Sequence, residues 1–176
     1  SGLLAVFIVR SLGWSEKAFE RLHLSPPLTA ALGMVLTGLV ILVTPGRVVA
    51  GSSLAFTGQS LAGDLDVSIW MLAGLMVAKI VATNLTLGSG NAGGVFSPLL
   101  FIGSLAGLIF GSLVHAWWPD IALFPQAYAI VGMAAVFAAA TRAPITAVLI
   151  IFEMSNDYKL ILPLMLATVT STLISK

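Results

Sequence analysis

Gly88-Ser89-Gly90-Asn91-Ala92-Gly93-Gly94-Val95-Phe96-Ser97-Pro98 is the stretch whose reading decides the fold. It lies between two strongly apolar segments, which puts irregular backbone at membrane depth. Such backbone is tolerated there only where protein buries it or where it lines a wet cavity. Glycine lets the chain approach a ligand closely, because no Cβ stands in the way. The run opens directly into an apolar helix, whose N-terminus carries unpaired N–H groups and the positive end of the helix dipole. The stretch contains no Lys, Arg, Asp or Glu. These features predict an anion site inside a membrane protein. Ser89 and Asn91 are read as loop supports through turn hydrogen bonding, and Ser97 as a residue that caps or steadies the helix start.

Composition agrees. Of 176 residues, 59% are hydrophobic and only 9% are charged, and the mean hydropathy is +1.07. Soluble domains carry roughly 25% charged residues, so this chain is expected to be an all-α integral membrane protein that crosses the bilayer several times, in a cell or inner membrane. A formal net charge of +1 without a basic patch gives no reason to expect nucleic acid. The absence of cysteine removes disulfides and thiolate metal sites. No HExxH, CxxC or Ser-His-Asp pattern occurs, so no catalytic residues, metal or cofactor are expected. The chain begins at Ser1 without a basic n-region, so no signal peptide is expected. It ends at Lys176 directly after an apolar segment, and is expected to be a piece of a longer polypeptide.

Working outward from the glycine stretch, Val67 to Leu87 is a long apolar segment interrupted by Lys79. Phe96 to Trp118 is another, with Gly103, Gly107 and Gly111 at four-residue spacing, which lets helices approach closely in lipid. Trp117, Trp118 and Pro119-Asp120 mark its end at an interface. Leu28 to Val43 is an uncharged apolar run that starts after Ser25-Pro26-Pro27, where proline suits a first helical position. Leu3 to Arg21 reads as a helix leaving the membrane amphipathically, with Ser15 able to cap its second part. Val48 to Leu65 is mixed and is expected to hold a short helix. Tyr128 to Ala140, Ile145 to Met154 and Leu160 to Ile174 fall short of the ~20 residues of a full crossing. Arg142-Ala143-Pro144 separates the first two. Short, proline-interrupted apolar segments are the sign of broken or tilted helices, which in transporters point towards a substrate site.

Gly94-Val95-Phe96-Ser97-Pro98 matches the GxFxP motif of the CLC chloride channels and chloride/proton antiporters. The segment Ala78-Lys79-Ile80-Val81-Ala82-Thr83 resembles the helix that precedes this motif in the family. The blocks Ala138 to Thr146 and Phe152 to Pro163 resemble its late helices. The whole chain is similar to the C-terminal half of a CLC pore domain, one incomplete domain over residues 1–176.

The resemblance implies a homodimer with a pore in each subunit, each subunit being built from two inverted halves. It implies a bound chloride near the midplane, coordinated by the backbone amides of Val95 and Phe96, with the Phe96 ring beside the ion; Gly93 and Gly94 are read with them as anion-binding residues, and Pro98 as a support of the loop. The N-terminal half of the same pore domain is then a required partner, because the gating glutamate and a serine-bearing loop of the family lie there. The tyrosine that helps close the central site lies beyond Lys176, and neither Tyr128 nor Tyr158 matches it. The present residues alone are not expected to conduct, and they leave channel and antiporter open.

A dehydrated anion needs donors, but a full cation as ligand would hold it too tightly for release. That suits a loop without Lys or Arg. Lys79, Arg142 and Glu153, ionisable groups in apolar segments, are read as structural, pairing or snorkelling at helix ends, with Lys159 or Lys79 as partners for Glu153. His115 and His23 are read as interfacial. Asn84-Leu85-Thr86 fits a glycosylation acceptor but lies within an apolar span. Leu149, Ile150, Ile151 and the apolar face of Leu160 to Leu173 are candidates for the subunit interface. Three rivals stand beside this reading. The first is a CLC-type carrier for another anion such as nitrate or fluoride. The second is a non-transporting membrane scaffold whose glycine loop only packs helices. The third is a cation-coupled transporter, which the lack of carboxylates in the loop disfavours.

Overall fold

The structure, a computed structural model, describes residues 2–21, 25–44, 49–50, 68–117 and 125–175. Its described elements are helical: α1 (Gly2–Glu20), α2 (Pro26–Val43), α3 (Ile69–Gly88), α4 (Phe96–Trp117), α5 (Pro125–Thr141), α6 (Pro144–Ser155), a 3₁₀ turn (Tyr158–Leu160) and α7 (Ile161–Ile174). The short helix expected in 48–65, apart from residues 49–50, the interfacial Trp118 to Asp120, and His23 lie outside the described residues.

Three helices are long and apolar enough to cross a membrane: α2, α3 and α4, with 18, 20 and 22 residues. The last helices are shorter, with 17, 12 and 14 residues in α5, α6 and α7. At 1.5 Å per residue only α5 approaches the ~30 Å of a bilayer core. The break between α5 and α6 falls where the sequence places it. Arg142 takes a left-handed backbone with φ of 56° and Pro144 opens α6. Proline lacks the N–H that would continue the ladder. Asn156, at φ 50°, ends α6 in the same conformation, which asparagine tolerates better than most residues.

α5 is the centre of the packing. It is apolar around its circumference and lies against α4, α7, α6 and α1. Met133, Ala134, Val136, Phe137, Ala138 and Ala139 are buried there with Leu99, Leu100 and Ile102 of α4, Ile151 of α6 and Leu164 of α7. A second cluster joins α3 to α4 through Leu72, Leu75, Phe101, Leu105 and Leu108. Without a hydrophobic drive between helices in lipid, small residues decide how closely they pack. A Cβ on Gly103 would stand 2.7 Å from the Gly132 carbonyl oxygen, and one on Gly107 would collide with the Tyr128 carbonyl. Gly103 and Gly107 of the glycine row read from the sequence thus lie at the α4–α5 seam.

α2 is the outlying helix. Gly33 is its one buried residue, while Leu28, Leu32, Val35, Leu39 and Leu42 are exposed. It packs on α3.

Four sequence expectations differ from the structure. α1 runs through Ser15 without a break, so Ser15 caps nothing. Its hydroxyl instead donates to the Asn84 carbonyl of α3 at 2.6 Å. Lys79 does not snorkel: it sits mid-helix at 3% exposure and donates to the Val49 carbonyl at 2.9 Å. Glu153 is exposed and forms no ion pair among the described residues. Ile151 is fully buried, so it belongs to the subunit core rather than to an outer interface, whereas Leu149 is 62% exposed.

Candidate functional site

The site begins where α3 stops. The Ser89 N–H still reaches the Leu85 carbonyl at 3.3 Å, and the Gly90 N–H bonds the Leu87 carbonyl at 3.0 Å. Gly90 then turns the chain with φ of 82°, a backbone that a side chain would strain. Asn91 to Gly94 have no regular structure, and Ala92, Gly93 and Gly94 are exposed.

α4 starts at Phe96. The Val95 carbonyl accepts the first helical bond, from the Leu99 N–H at 3.1 Å. Val95 is therefore the capping position, and Phe96, Ser97 and Pro98 form the first turn. Pro98 has no N–H, so the donors of this helix end are concentrated on Val95, Phe96 and Ser97. Among the described residues no carbonyl accepts from the Val95 or Phe96 N–H. No acidic residue occupies the first turn, so no carboxylate neutralises the helix end. Val95 and Phe96 are each 41% exposed. The Phe96 ring stands edge-on against Phe137, with centroids 5.2 Å apart, which fixes the ring beside the helix end.

A cavity of about 220 Å³ adjoins the turn, with Gly93, Gly94 and Pro98 on one side and Lys79, Thr83 and Thr86 on the other. The Thr83 and Thr86 hydroxyls donate back to the Lys79 and Ala82 carbonyls, both at 2.8 Å. That leaves oxygen lone pairs and the Lys79 ammonium as the polar lining. The ammonium also lies 5.6 Å from the centroid of the Phe101 ring.

The sequence-read residues thus fall into two groups. Gly93, Gly94, Val95 and Phe96 form the accessible turn and helix end. Ser89 and Asn91 sit behind it: Ser89 is buried and donates to the Thr86 carbonyl at 3.0 Å, and the Asn91 amide donates to the Ala30 carbonyl at 2.9 Å and to the Ser89 hydroxyl at 3.0 Å. Ser97 and Pro98 are half-buried in the first turn of α4. The partners of this rear group were missed in the sequence. Ala30, Gly33 and Thr37 form a small-residue stripe on one face of α2, and Gly33 leaves the room that Ser89 fills. Thr37 meets Thr86 at 3.1 Å. On the other side, Asn84 donates to the Ser11 hydroxyl of α1 at 2.9 Å, and Gly88 accommodates Ser15. The signal was the spacing of Ala30, Gly33 and Thr37, and of Ser11 with Ser15 and Asn84 with Gly88, within otherwise apolar helices.

Comparison with known proteins follows the same lines. The family model described as voltage gated chloride channel matches residues 1–176. The chain is 40% identical over 139 residues to the H(+)/Cl(-) exchange transporter ClcA of Vibrio cholerae serotype O1, covering 79% of this chain and 29% of that protein. It is 35% identical over 176 residues to the voltage-gated ClC-type chloride channel ClcB of Escherichia coli, covering 100% and 41%. It is 37% identical over 178 residues to the chloride channel protein CLC-f of Arabidopsis thaliana, covering 93% and 22%. Among solved structures, a slow cyanobacterial Cl-/H+ antiporter superposes with a TM-score of 0.84 at 28% identity, over 99% of this chain and 40% of that one. The chain therefore spans less than half the length of each of these relatives.

Proposed function

Because this chain belongs to the voltage-gated chloride channel family, we propose that the Gly93 to Phe96 turn and the start of α4 form one wall of a chloride site in a transmembrane anion pathway. The observation that carries this is the pair of N–H groups on Val95 and Phe96, at an exposed helix end that no carbonyl or carboxylate among the described residues satisfies. Partial charges of this kind attract an anion and repel a cation. They also bind weakly enough to let the ion leave, which conduction requires. Lys79 adds a positive charge beside the cavity without standing in the turn itself.

The complete site needs further donors from the N-terminal half of the pore domain, related to this half by an inverted repeat. Two such subunits associate through the outer faces of α6 and α7, where Ile145, Leu149, Leu162, Met165 and Leu166 are exposed. A packing-only role for the loop fits less well. Among the described residues a Cβ at Gly94 would meet nothing within 4 Å, so Gly94 does not serve the packing of these helices on one another.

The test is chloride efflux from liposomes that contain the complete polypeptide, with external pH recorded. Chloride flux that drives protons against a gradient makes the protein an antiporter, and flux without proton movement makes it a channel. A folded dimer that passes nitrate or fluoride but no chloride redirects the proposal to that anion. A folded dimer that passes no anion defeats it.

A further inference from the structure

Between Asn91 and Gly94 the backbone makes no hydrogen bond to another described backbone group. These four residues carry the chain from the end of α3 to the proposed anion-binding end of α4. Their polar tether among the described residues is one side chain, the Asn91 carboxamide. It reaches 61 positions back in sequence to the Ala30 carbonyl of α2 and also bonds Ser89. Ala30 lies within α2, and a carbonyl has two lone pairs, so it can accept this second donor beside its helical one. Ser89 is 4% exposed and tied to Thr86, and its side chain occupies the space over Gly33 that any Cβ there would fill. The acceptors are thus held in helices or buried, while among the described residues the segment that Asn91 holds has no backbone hydrogen bond of its own.

We propose that Asn91 is a positioning residue for the anion site: by tying the loop to the α2 backbone, it sets the direction in which the Gly94, Val95 and Phe96 amides point. This rests on the chloride-site reading above. α2 packs on α3, so the tether also makes the register of α2 a determinant of site geometry. Ser89 is the secondary support, since it orients the carboxamide that does the reaching.

The experiment uses the complete polypeptide in liposomes, with chloride and nitrate as probe anions, alongside the melting temperature of the purified dimer. Asn91→Ala removes both donors. It is expected to raise the half-saturating chloride concentration about fivefold, the scale of one hydrogen bond, and to flatten the chloride-to-nitrate preference. The control is Thr168→Ala, which empties a fully buried position of α7 and removes its 2.8 Å bond to the Leu164 carbonyl, away from the turn. It is expected to lower the melting temperature while half-saturation and preference stay at wild-type values. Should Asn91→Ala not fold, Asn91→Gln carries the test. It keeps the donors but displaces them by a methylene, and a shifted anion preference at native stability is required. Native half-saturation and preference in a folded Asn91→Ala or Asn91→Gln dimer would overturn the proposal. So would anion parameters that move in both Asn91→Ala and Thr168→Ala in proportion to lost stability. A wild-type protein that carries no chloride would instead remove the chloride-site reading beneath it, an outcome visible before any variant is made.

Discussion

An alanine at Gly94 would place its methyl group in open space, whereas one at Gly107 would drive it into the Tyr128 carbonyl and the Ala129 backbone. The two glycines look alike in sequence and do different work. Gly107→Ala is expected to destabilise the protein by about 1–3 kcal/mol, the usual range for overpacking, or to block folding. Gly94→Ala is expected to stay within ~0.5 kcal/mol of wild type, as surface changes do, while weakening chloride binding through the altered turn. Thermal melts and chloride titration of the two variants separate a site from a packing device. The turn itself was legible because a run of glycine, serine and asparagine breaks the helix at membrane depth, where free backbone groups need a partner or a wet cavity. The Asn91 tether was not, because its acceptor is a backbone carbonyl, and an alanine in a helix carries no mark of being used. Ser15 misleads for a related reason. A serine ahead of a glutamate looks like a helix cap, and only the approach of α3 shows that its hydroxyl bonds another helix.

Among the elements, the three long apolar helices and the break at Arg142-Ala143-Pro144 were legible from length and proline alone. The seam between α4 and α5 was half legible. Gly103 and Gly107 announced close packing, but the partner strip of Tyr128, Ala129, Gly132 and Met133 could not be picked from an alanine-rich helix that is apolar on every side. Two non-glycine residues in left-handed backbone end the short helices, Arg142 at φ 56° and Asn156 at φ 50°. Such a conformation costs an ordinary L-residue roughly 1–2 kcal/mol. Arg142→Gly is accordingly expected to raise stability by up to about 1 kcal/mol, despite the loss of a charged side chain. Asn156→Val, which adds β-branching in the same backbone, is expected to lower it by at least as much. Thermal unfolding in detergent checks both signs.

For the whole molecule, the sequence spoke through composition first and through the order of three motif blocks second, and the fold follows from both. What it could not divide was apolar surface facing lipid from apolar surface facing protein, because both are leucine and isoleucine. Neighbouring residues went to opposite fates: Leu149 is 62% exposed, Ile151 fully buried. The exposed faces of α6 and α7 line a groove bounded by Ile145, Leu149, Met165 and Val169. If this is the subunit contact, the double change Leu149→Trp with Met165→Trp should overpack it at a cost of about 1–3 kcal/mol per protomer. The complete protein should then shift from dimer to monomer in mild detergent, read by size-exclusion chromatography with light scattering. A dimer that persists unchanged would place the contact elsewhere.

Two backbone N–H groups carry the proposed site, so the most direct test removes one of them without changing any side chain. In the complete protein, replacement of the Val95–Phe96 amide by an ester exchanges the Phe96 N–H for an oxygen and leaves every side chain in place. Chloride binding measured by titration calorimetry is expected to weaken about tenfold or more, since a donor is lost and an acceptor is turned towards the anion. Chloride affinity equal to that of the all-amide protein would contradict the account, and would mean that the start of α4 does not hold the ion.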